Sequence, residues 1–358
     1  MATKKKEEGA AAGGTQTAAP STNGKSNPDL DRELLRSMLL QRRFEERCAE
    51  AYALGKIGGF CHLYIGQEAV STGTLSILRP DDYVITTYRD HGQALARGMS
   101  PRNVMAELFG RADGVVRGKG GSMHLFDRNV NFLGGHGIVG AHVPLATGVG
   151  FAIKYRGGDQ VCICFMGESV VNTGAFHEAL NMAGLWKLPV VYVIENNRYG
   201  MGTALERASA IHDIYERGAS YNMPRAQCDG QDVFAVREAT QEAVDRARKD
   251  QIPTLLEVRT YRFMGHSMSD AISGTYRTKA ELDEYMKRDP IMLLRVHMQE
   301  HGELTDEEIQ RLDAELKAIV QDAWDFADKS PEPPLESLYE DVYVDTTSDS
   351  TNQAIAAD

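Results

Sequence analysis

Residues 161–174 read VCICFMGESVVNTG, and this stretch decides the fold that the sequence predicts. Its apolar run ends with a glycine and Glu168, and a segment with helical spacing follows. The next apolar run ends at residues 196–200, NNRYG, so that Asn197 follows Glu168 by 29 residues. A helical crossover between parallel strands has about this length, so both side chains are expected at the carboxyl edge of one sheet. The pattern suits two oxygen ligands of a metal diphosphate, with the intervening helix directing its positive end at the phosphates.

The rest of the chain repeats this alternation of strands and helices. Strands are predicted at 83–87, 161–165, 190–195 and 254–261, and helices at 175–186 and 233–248. The fold class is therefore α/β, a doubly wound and mostly parallel sheet flanked by helices.

The ends of the ordered region carry their own signals. Asn27 followed by Pro28 predicts the start of a first helix, with asparagine as the cap and proline at the first helical position. From about residue 278 the sequence pattern predicts helices rich in charged residues, where Thr305 and Glu308 form a capping-box pattern. We expect one domain over residues 28–345 with these helices as a C-terminal extension. Residues 1–27 and 346–358 are expected to be a disordered tail and a frayed tail.

Composition excludes several classes of protein. The chain has 358 residues and a net charge of −12, which argues against binding to nucleic acid or to an anionic membrane surface. We find no apolar stretch long enough for a membrane helix. The five cysteines have neither metal-ligand spacing nor a disulfide pattern, and Cys162 and Cys164 alternate in an apolar strand as small buried residues would. A cytoplasmic location is predicted, because Glu7, Glu8 and the lack of arginine in residues 1–27 weigh against a transit peptide.

A glycine motif at residues 135–140, GHGIVG, matches the dinucleotide fingerprint, and Asp159 lies beyond it. Residues 129–134 are not expected to form a buried strand, and Asp159 belongs to a turn instead of a strand end. We therefore interpret the motif as a glycine loop that lets backbone approach a flat ligand. A nicotinamide dehydrogenase is the alternative that this interpretation disfavours.

Six motifs, taken together, resemble the alpha subunits of the pyruvate dehydrogenase first component, which are thiamine-diphosphate enzymes. The likeness covers about residues 30–341. The motifs occur in the family's order: GFCHLYIGQEA at 59–69, TYRDHG at 87–92, GKGGSMH at 118–124, GIVGA at 137–141, NNRYGMGT at 196–203 and GHSMSD at 265–270. The resemblance implies a thiamine-diphosphate-binding fold that holds the diphosphate side of the cofactor.

The resemblance also implies a metal site. Mg²⁺ would bridge the diphosphate to the Glu168 carboxylate, the Asn197 side chain and the Tyr199 carbonyl, which suits a hard cation with oxygen ligands. Gly167 and Ser169 are implied to border the cofactor beside this site.

Further residues are implied to contact the cofactor or the substrate. His62, Tyr88 and Arg89 match positions that contact the diphosphate, Arg89 as a fork-shaped donor. His266 and His62 are the predicted catalytic residues, and His266 also belongs to the cofactor site. His266 matches the histidine that orients and protonates the reacting 2-oxo acid.

The glycine loop takes a role from the same resemblance. Gly137 and Val139 match the positions whose backbone meets the aminopyrimidine ring.

The implied function is decarboxylation of pyruvate and reductive acetylation of the lipoyl group on a dihydrolipoyl acetyltransferase. A separate beta subunit would supply the pyrimidine side of the site in an α₂β₂ heterotetramer. Two alternatives of the same chemistry are an acetoin and a branched-chain 2-oxo acid dehydrogenase.

One motif departs from the family's pattern. Most pyruvate-type relatives carry Gly-Asp-Gly where this chain has Gly167-Glu168-Ser169, and the branched-chain relatives carry Gly-Glu-Gly. The Ser169 hydroxyl is expected either to cap the following helix or to donate to a phosphate oxygen. This departure motivates the alternative of a non-catalytic paralogue that keeps only the beta-subunit interface.

Overall fold

A computed structural model describes residues 27–342, where a central sheet of six parallel strands lies between layers of helices. The strands are β1 (Tyr83–Thr87), β2 (Phe132–His136), β3 (Cys162–Gly167), β4 (Val190–Asn196), β5 (Tyr199–Gly200), β6 (Thr203–Ala204), β7 (Arg225–Asp229) and β8 (Thr254–Arg259). The sheet has the order β2-β1-β3-β4-β8-β7, and β5 pairs with β6 in a separate antiparallel hairpin. The predicted fold class is confirmed.

The central strands are buried on both faces, which explains their continuous apolar sequence. In β3, Cys162 and Cys164 pack into one hydrophobic cluster, whereas Ile163 and Phe165 pack into another on the opposite face. Both cysteines are fully buried and free, as predicted.

Helices cover both faces of the sheet. They are α1 (Pro28–Ala53), α2 (Glu68–Leu75), α3 (His91–Ala96), α4 (Pro101–Leu108), α5 (His142–Tyr155), α6 (Gly174–Trp186), α7 (Leu205–Ala208), α8 (Val233–Asp250), α9 (Lys279–Met286), α10 (Pro290–Glu300) and α11 (Asp306–Lys329). Short 3₁₀ helices occur at Gly121–Met123, Arg128–Val130, Glu168–Asn172, Ile214–Tyr221 and Leu335–Tyr339.

The predicted helix signals are found where the sequence puts them. The Asn27 side chain accepts from the backbone N–H of Leu30, and Pro28 is the first helical residue of α1. Thr305 and Glu308 form the predicted capping box at the start of α11. The C-terminal helices begin at Lys279 and end near Ser330.

Two strands, β2 and β7, were not predicted. Residues 129–134 were not expected to form a buried strand, and residues 132–134 belong to the edge strand β2, whose residues are part buried and part half-buried. Both are edge strands, β2 with two glycines and β7 with mainly polar residues. Each pairs with a single neighbour, so backbone hydrogen bonds hold it without the apolar side chains that mark a buried strand. Asp159 is confirmed to lie outside the strands, in an exposed ion pair with Arg79.

The order of the strands prepares a crevice at one edge. From β1 the chain passes outward to β2, returns to β3 on the other side of β1, and continues to β4. Ligands of such sheets bind outside the carboxyl ends of the strands, next to this reversal.

Residues 1–26 of the predicted N-terminal tail and all of the predicted C-terminal tail, 346–358, lie outside the described residues. The division of the chain into tails and a domain therefore stays a prediction. Within residues 27–342, no helix combines the length and apolar character that crossing a membrane requires.

Candidate active site

A cleft opens at the carboxyl edge of the sheet. Four neighbouring strands reach it, because β1 is followed by Arg89, β3 by Glu168, β4 by Asn197 and β8 by Arg262. The cleft is lined by Gln67, Thr87, Tyr88, Arg89, Val139, Gly167, Glu168, Ser169, Val170, Glu195, Asn197, Tyr199, Gly200, Met201, Arg262 and His266. Nine of the predicted site residues belong to this lining.

Oxygen atoms converge on one wall of the cleft. The Asn197 amide nitrogen donates to Gln67, which turns the amide oxygen toward Arg262. Arg262 Nη1 donates to Asn197 Oδ1 at 3.0 Å and to the Tyr199 carbonyl at 3.2 Å. A positive group thus already sits against two of the three predicted metal-binding oxygens, so this wall suits a cation.

The third predicted ligand, Glu168, is buried at the end of β3. Burial raises the pKa of this carboxyl, against the opposing effects of nearby backbone N–H groups and of Arg262. A bound cation would compensate for the desolvation of this group.

The Ser169 side chain fits against Gly200, which has no side chain. Its hydroxyl donates to Glu168 Oε1 at 3.3 Å, and a Cβ atom on Gly200 would collide with Ser169 Oγ. The expectation that Ser169 caps the next helix is wrong, because Thr173 caps α6. A 3₁₀ helix separates β3 from α6, so the cleft receives Glu168, Ser169 and Val170 from that segment and no residue of α6, although the sequence predicted that α6 would direct its amino end at the site.

Arg89 is buried, and its guanidinium fixes two backbone segments. It donates to the Leu63 carbonyl and to the His266 carbonyl, both at 2.7 Å. Burial and the nearby Arg262 lower the pKa of Arg89 to about 10, so it stays charged at neutral pH. Two arginines therefore face the same cleft, an arrangement that favours a multiply charged anion.

His62, Tyr88 and His266 form a cluster of rings beside Arg89. The His62 ring centroid lies 4.5 Å from that of Tyr88 and 5.1 Å from that of His266. Burial and the charge of Arg89 lower the pKa of both histidines, that of His266 to about 4, so both are neutral at pH 7. In the described part of the chain, the buried Nδ1 atom of neither histidine has a hydrogen-bond partner. These atoms are available to a ligand.

Gly137, which was predicted to meet the aminopyrimidine ring, lies outside the cleft lining. It lies next to His124 and Met123, close enough that a methyl group in place of its hydrogen would lie 3.1 Å from His124 Cε1. Val139 does line the cleft and is about half-exposed, and the adjacent Ile138 is largely exposed. His62 is likewise outside the lining and reaches it through Tyr88 and His266.

The model of the family described as "Dehydrogenase E1 component" matches residues 36–336, which include every residue of the cleft. The chain belongs to this family.

Relatives at moderate identity cover most of the chain. The pyruvate dehydrogenase E1 component subunit alpha of Rhizobium meliloti (strain 1021) is 51% identical over 313 residues, 87% of this chain and 89% of the relative. The protein of the same name from Rickettsia bellii (strain RML369-C) is 46% identical over 86% of this chain and 94% of its own length. The chloroplastic alpha-3 subunit of Oryza sativa subsp. japonica is 45% identical over 87% of this chain and 75% of the relative.

Four polar residues of the cleft lining were missed in the sequence: Gln67, Thr87, Glu195 and Arg262. Arg262 follows β8 as Arg89 follows β1, so the rule that parallel strands deliver residues to one edge would have found it. Glu195, the penultimate residue of β4, is buried and accepts from Gln93 Nε2 at 2.9 Å and from the Tyr64 hydroxyl. Burial raises its pKa to about 7. No pattern in the sequence distinguishes Glu195 from an ordinary strand residue.

Proposed function

We propose that this chain is the alpha subunit of a thiamine-diphosphate-dependent pyruvate dehydrogenase, which decarboxylates pyruvate and acetylates the lipoyl group of an acetyltransferase. The convergence of Glu168, Asn197 and Tyr199 oxygens with two buried arginines at one strand edge carries this proposal. The names of the relatives favour pyruvate over acetoin or a branched-chain 2-oxo acid.

The residues present fit a divalent metal and a diphosphate. Glu168, Asn197 Oδ1 and the Tyr199 carbonyl would hold Mg²⁺, which prefers oxygen ligands and retains phosphate among them. Arg89 and Arg262 would neutralise the phosphates, and Tyr88 and Ser169 would border them. Bound thiamine diphosphate supplies a carbanion and an electron sink for loss of carbon dioxide.

His266 would exchange a proton with the substrate, and His62 would support it. His266 is neutral at pH 7, and its unpaired Nδ1 atom allows it to exchange a proton with the 2-oxo oxygen of pyruvate. His62 packs edge-on against it and would fix its orientation. The Arg89 bond to the His266 carbonyl holds the segment in place.

A beta subunit would complete the site in an α₂β₂ heterotetramer. Adjacent helices α5 and α6 expose a contiguous series of large apolar side chains, more than scattered surface residues would give. These are Leu145, Phe151 and Tyr155 on α5, and Met182, Leu185 and Trp186 on α6. We assign this face to subunit contacts.

A cytoplasmic location of the chain remains a prediction.

Substrate comparison in the reconstituted complex tests this function. The alpha chain, co-purified with its beta subunit, would be supplied with lipoylated acetyltransferase and with pyruvate, acetoin or a branched-chain 2-oxo acid. We expect kcat/KM for pyruvate to exceed the values for the other two by roughly 10-fold or more, because acetoin lacks the carboxylate and a branched-chain 2-oxo acid brings a larger alkyl group into the pocket. A pyruvate rate no higher than the others would refute the substrate assignment, and no turnover of any substrate would favour a non-catalytic paralogue.

A further inference from the structure

Residues 276–285 lie across the turn that carries Asn197 and Tyr199. The Tyr276 ring centroid lies 5.4 Å from that of Tyr199, and the Tyr276 hydroxyl accepts from Arg262 Nη2 at 3.2 Å. Farther along, the Tyr285 hydroxyl accepts from Arg198 Nη1. The first C-terminal helix, α9, is thus attached to the wall of the cleft that presents the oxygen atoms.

Glu281, in the first turn of α9, makes the most direct of these attachments. The Tyr199 hydroxyl donates to its two carboxylate oxygens, at 2.9 and 3.0 Å. The Tyr261 hydroxyl donates to Glu281 Oε1 at 3.0 Å. An ionised carboxylate only accepts, so both phenols must donate, and each bond is charge-assisted. The Thr278 cap fixes the backbone of Glu281 in turn.

The turn itself leaves Tyr199 few other restraints. Arg198 and Met201 both have positive φ angles, 73° and 54°. Between them the backbone of Tyr199 pairs with Ala204 in the two-residue strands of the hairpin, and its carbonyl accepts from Arg262. The Tyr199 carbonyl faces Arg262 in the cleft while its phenol is held by Glu281 outside the cleft. Fixing the phenol therefore restricts rotation of the residue whose carbonyl lines the site.

We propose that Glu281 is a positioning residue, which holds the Tyr199 phenol and thereby aims the Tyr199 carbonyl at the metal. The inference rests on the proposed function, since it gives the carbonyl a cation to bind. It also makes the C-terminal helices part of the site, although none of them contributes to the cleft lining. Partners behind a metal ligand typically change metal affinity by about 10- to 100-fold when removed.

Two tyrosines that share one carboxylate provide a matched pair of variants. Tyr199→Phe keeps the ring and the carbonyl but loses the bond to Glu281, and Tyr261→Phe loses a bond to the same carboxylate from a residue outside the cleft. Glu281→Ala removes both bonds, and Glu281→Gln keeps the size and one acceptor oxygen. Each variant would be purified with the beta subunit, and thiamine diphosphate titrated calorimetrically in the presence of Mg²⁺, with the unfolding midpoint measured in parallel.

We expect Tyr199→Phe and Glu281→Ala each to weaken cofactor binding roughly tenfold, and the double variant to be no weaker than Glu281→Ala alone. Tyr261→Phe should lower the unfolding midpoint and leave the affinity unchanged, and Glu281→Gln should bind with intermediate affinity. Wild-type affinity in Tyr199→Phe, or equal losses in the two tyrosine variants, would overturn the positioning role while leaving the proposed function intact. A wild-type assembly without saturable binding would overturn the proposed function and this inference with it.

Discussion

The two edges of the central sheet both bury an acidic residue, but they treat it differently. At the amino edge, Asp82 is fully buried before β1 and forms an ion pair with Arg248 at 2.8 Å. It also accepts from the backbone N–H groups of Arg79 and Val161. At the carboxyl edge, Glu168 is almost equally buried but accepts from Ser169 at 3.3 Å and has no salt bridge among the described residues.

The charged groups at the amino edge stabilise the fold, whereas those at the carboxyl edge are placed to bind a ligand. Each polar group around Asp82 is matched by a partner, as buried ions must be if they are to avoid a desolvation penalty. The cleft instead keeps Arg89 and Arg262 near each other, so that their charges lower the pKa of His266, and leaves His62 and His266 Nδ1 unpaired. Such a concentration of incompletely compensated groups is typical of a binding site.

Glu168→Gln should have the largest effect on binding. A neutral amide is a poor substitute for an anionic metal ligand, so we expect the affinity for thiamine diphosphate with Mg²⁺ to fall roughly 100-fold or more. The unfolding midpoint without cofactor should stay the same or rise, since the variant no longer buries a charge. Calorimetry and thermal unfolding measure the two effects, and unchanged affinity would remove Glu168 from the metal site.

Asp82→Asn, the matched change at the other edge, should do the reverse. It leaves Arg248 without its charged partner, so we expect the free energy of unfolding to fall by about 3 kcal/mol, as for other broken buried pairs. Cofactor affinity of the folded protein should not change. Denaturant unfolding checks this, and a large loss of affinity with intact stability would show that the two edges do not divide stability and binding.

Arg262→Gln should weaken cofactor binding by roughly tenfold, because one charge-assisted contact is lost. Stability without cofactor should change little, since removing Arg262 also relieves the repulsion with Arg89. Arg97→Gln is the control: Arg97 also donates to backbone carbonyls, those of Val130 and Asp82 among them, but near the amino edge. That variant should lose stability and keep its affinity; equal effects of both variants would contradict the comparison.

The smallest effect concerns pH. The pKa of His266 is lowered from its ordinary value of 6.5 to about 4, first by burial and then by Arg89. Below pH 6.5 the unfolded chain takes up a proton that the folded chain refuses, so stability is lost as pH falls from 6.5 to about 4. His266→Asn should show a smaller decline over this range when both unfolding midpoints are followed against pH. Parallel curves would mean that His266 does not titrate as its surroundings imply.

The sequence predicted the central fold because buried parallel strands have a strong pattern. Continuous apolar runs and the spacing between Glu168 and Asn197 located β3 and β4, and the caps at Asn27 and Thr305 located the ends of helices. Edge strands β2 and β7 escaped because backbone pairing, which leaves no mark on composition, holds them.

Sequence patterns pointed to polar residues that follow strands, and they missed residues whose importance depends on three-dimensional contacts. Glu168, Asn197 and Arg89 follow strands, were predicted and line the cleft, whereas Arg262, which follows β8 in the same way, was overlooked. The role of Glu281 depends on which side chains α9 meets after a long loop, so no local pattern contains it. The placement of Gly137 outside the cleft is likewise a tertiary fact.

A calorimetric titration of thiamine diphosphate into the chain co-purified with its beta subunit, with and without Mg²⁺, tests most directly whether the carboxyl edge is a binding site. We predict saturable binding that requires the metal, because Glu168, Asn197 and Tyr199 present oxygen atoms to a cation and the arginines alone do not fix the phosphates. No binding by a properly assembled heterotetramer, or equal binding without any divalent metal, would contradict this account of the site.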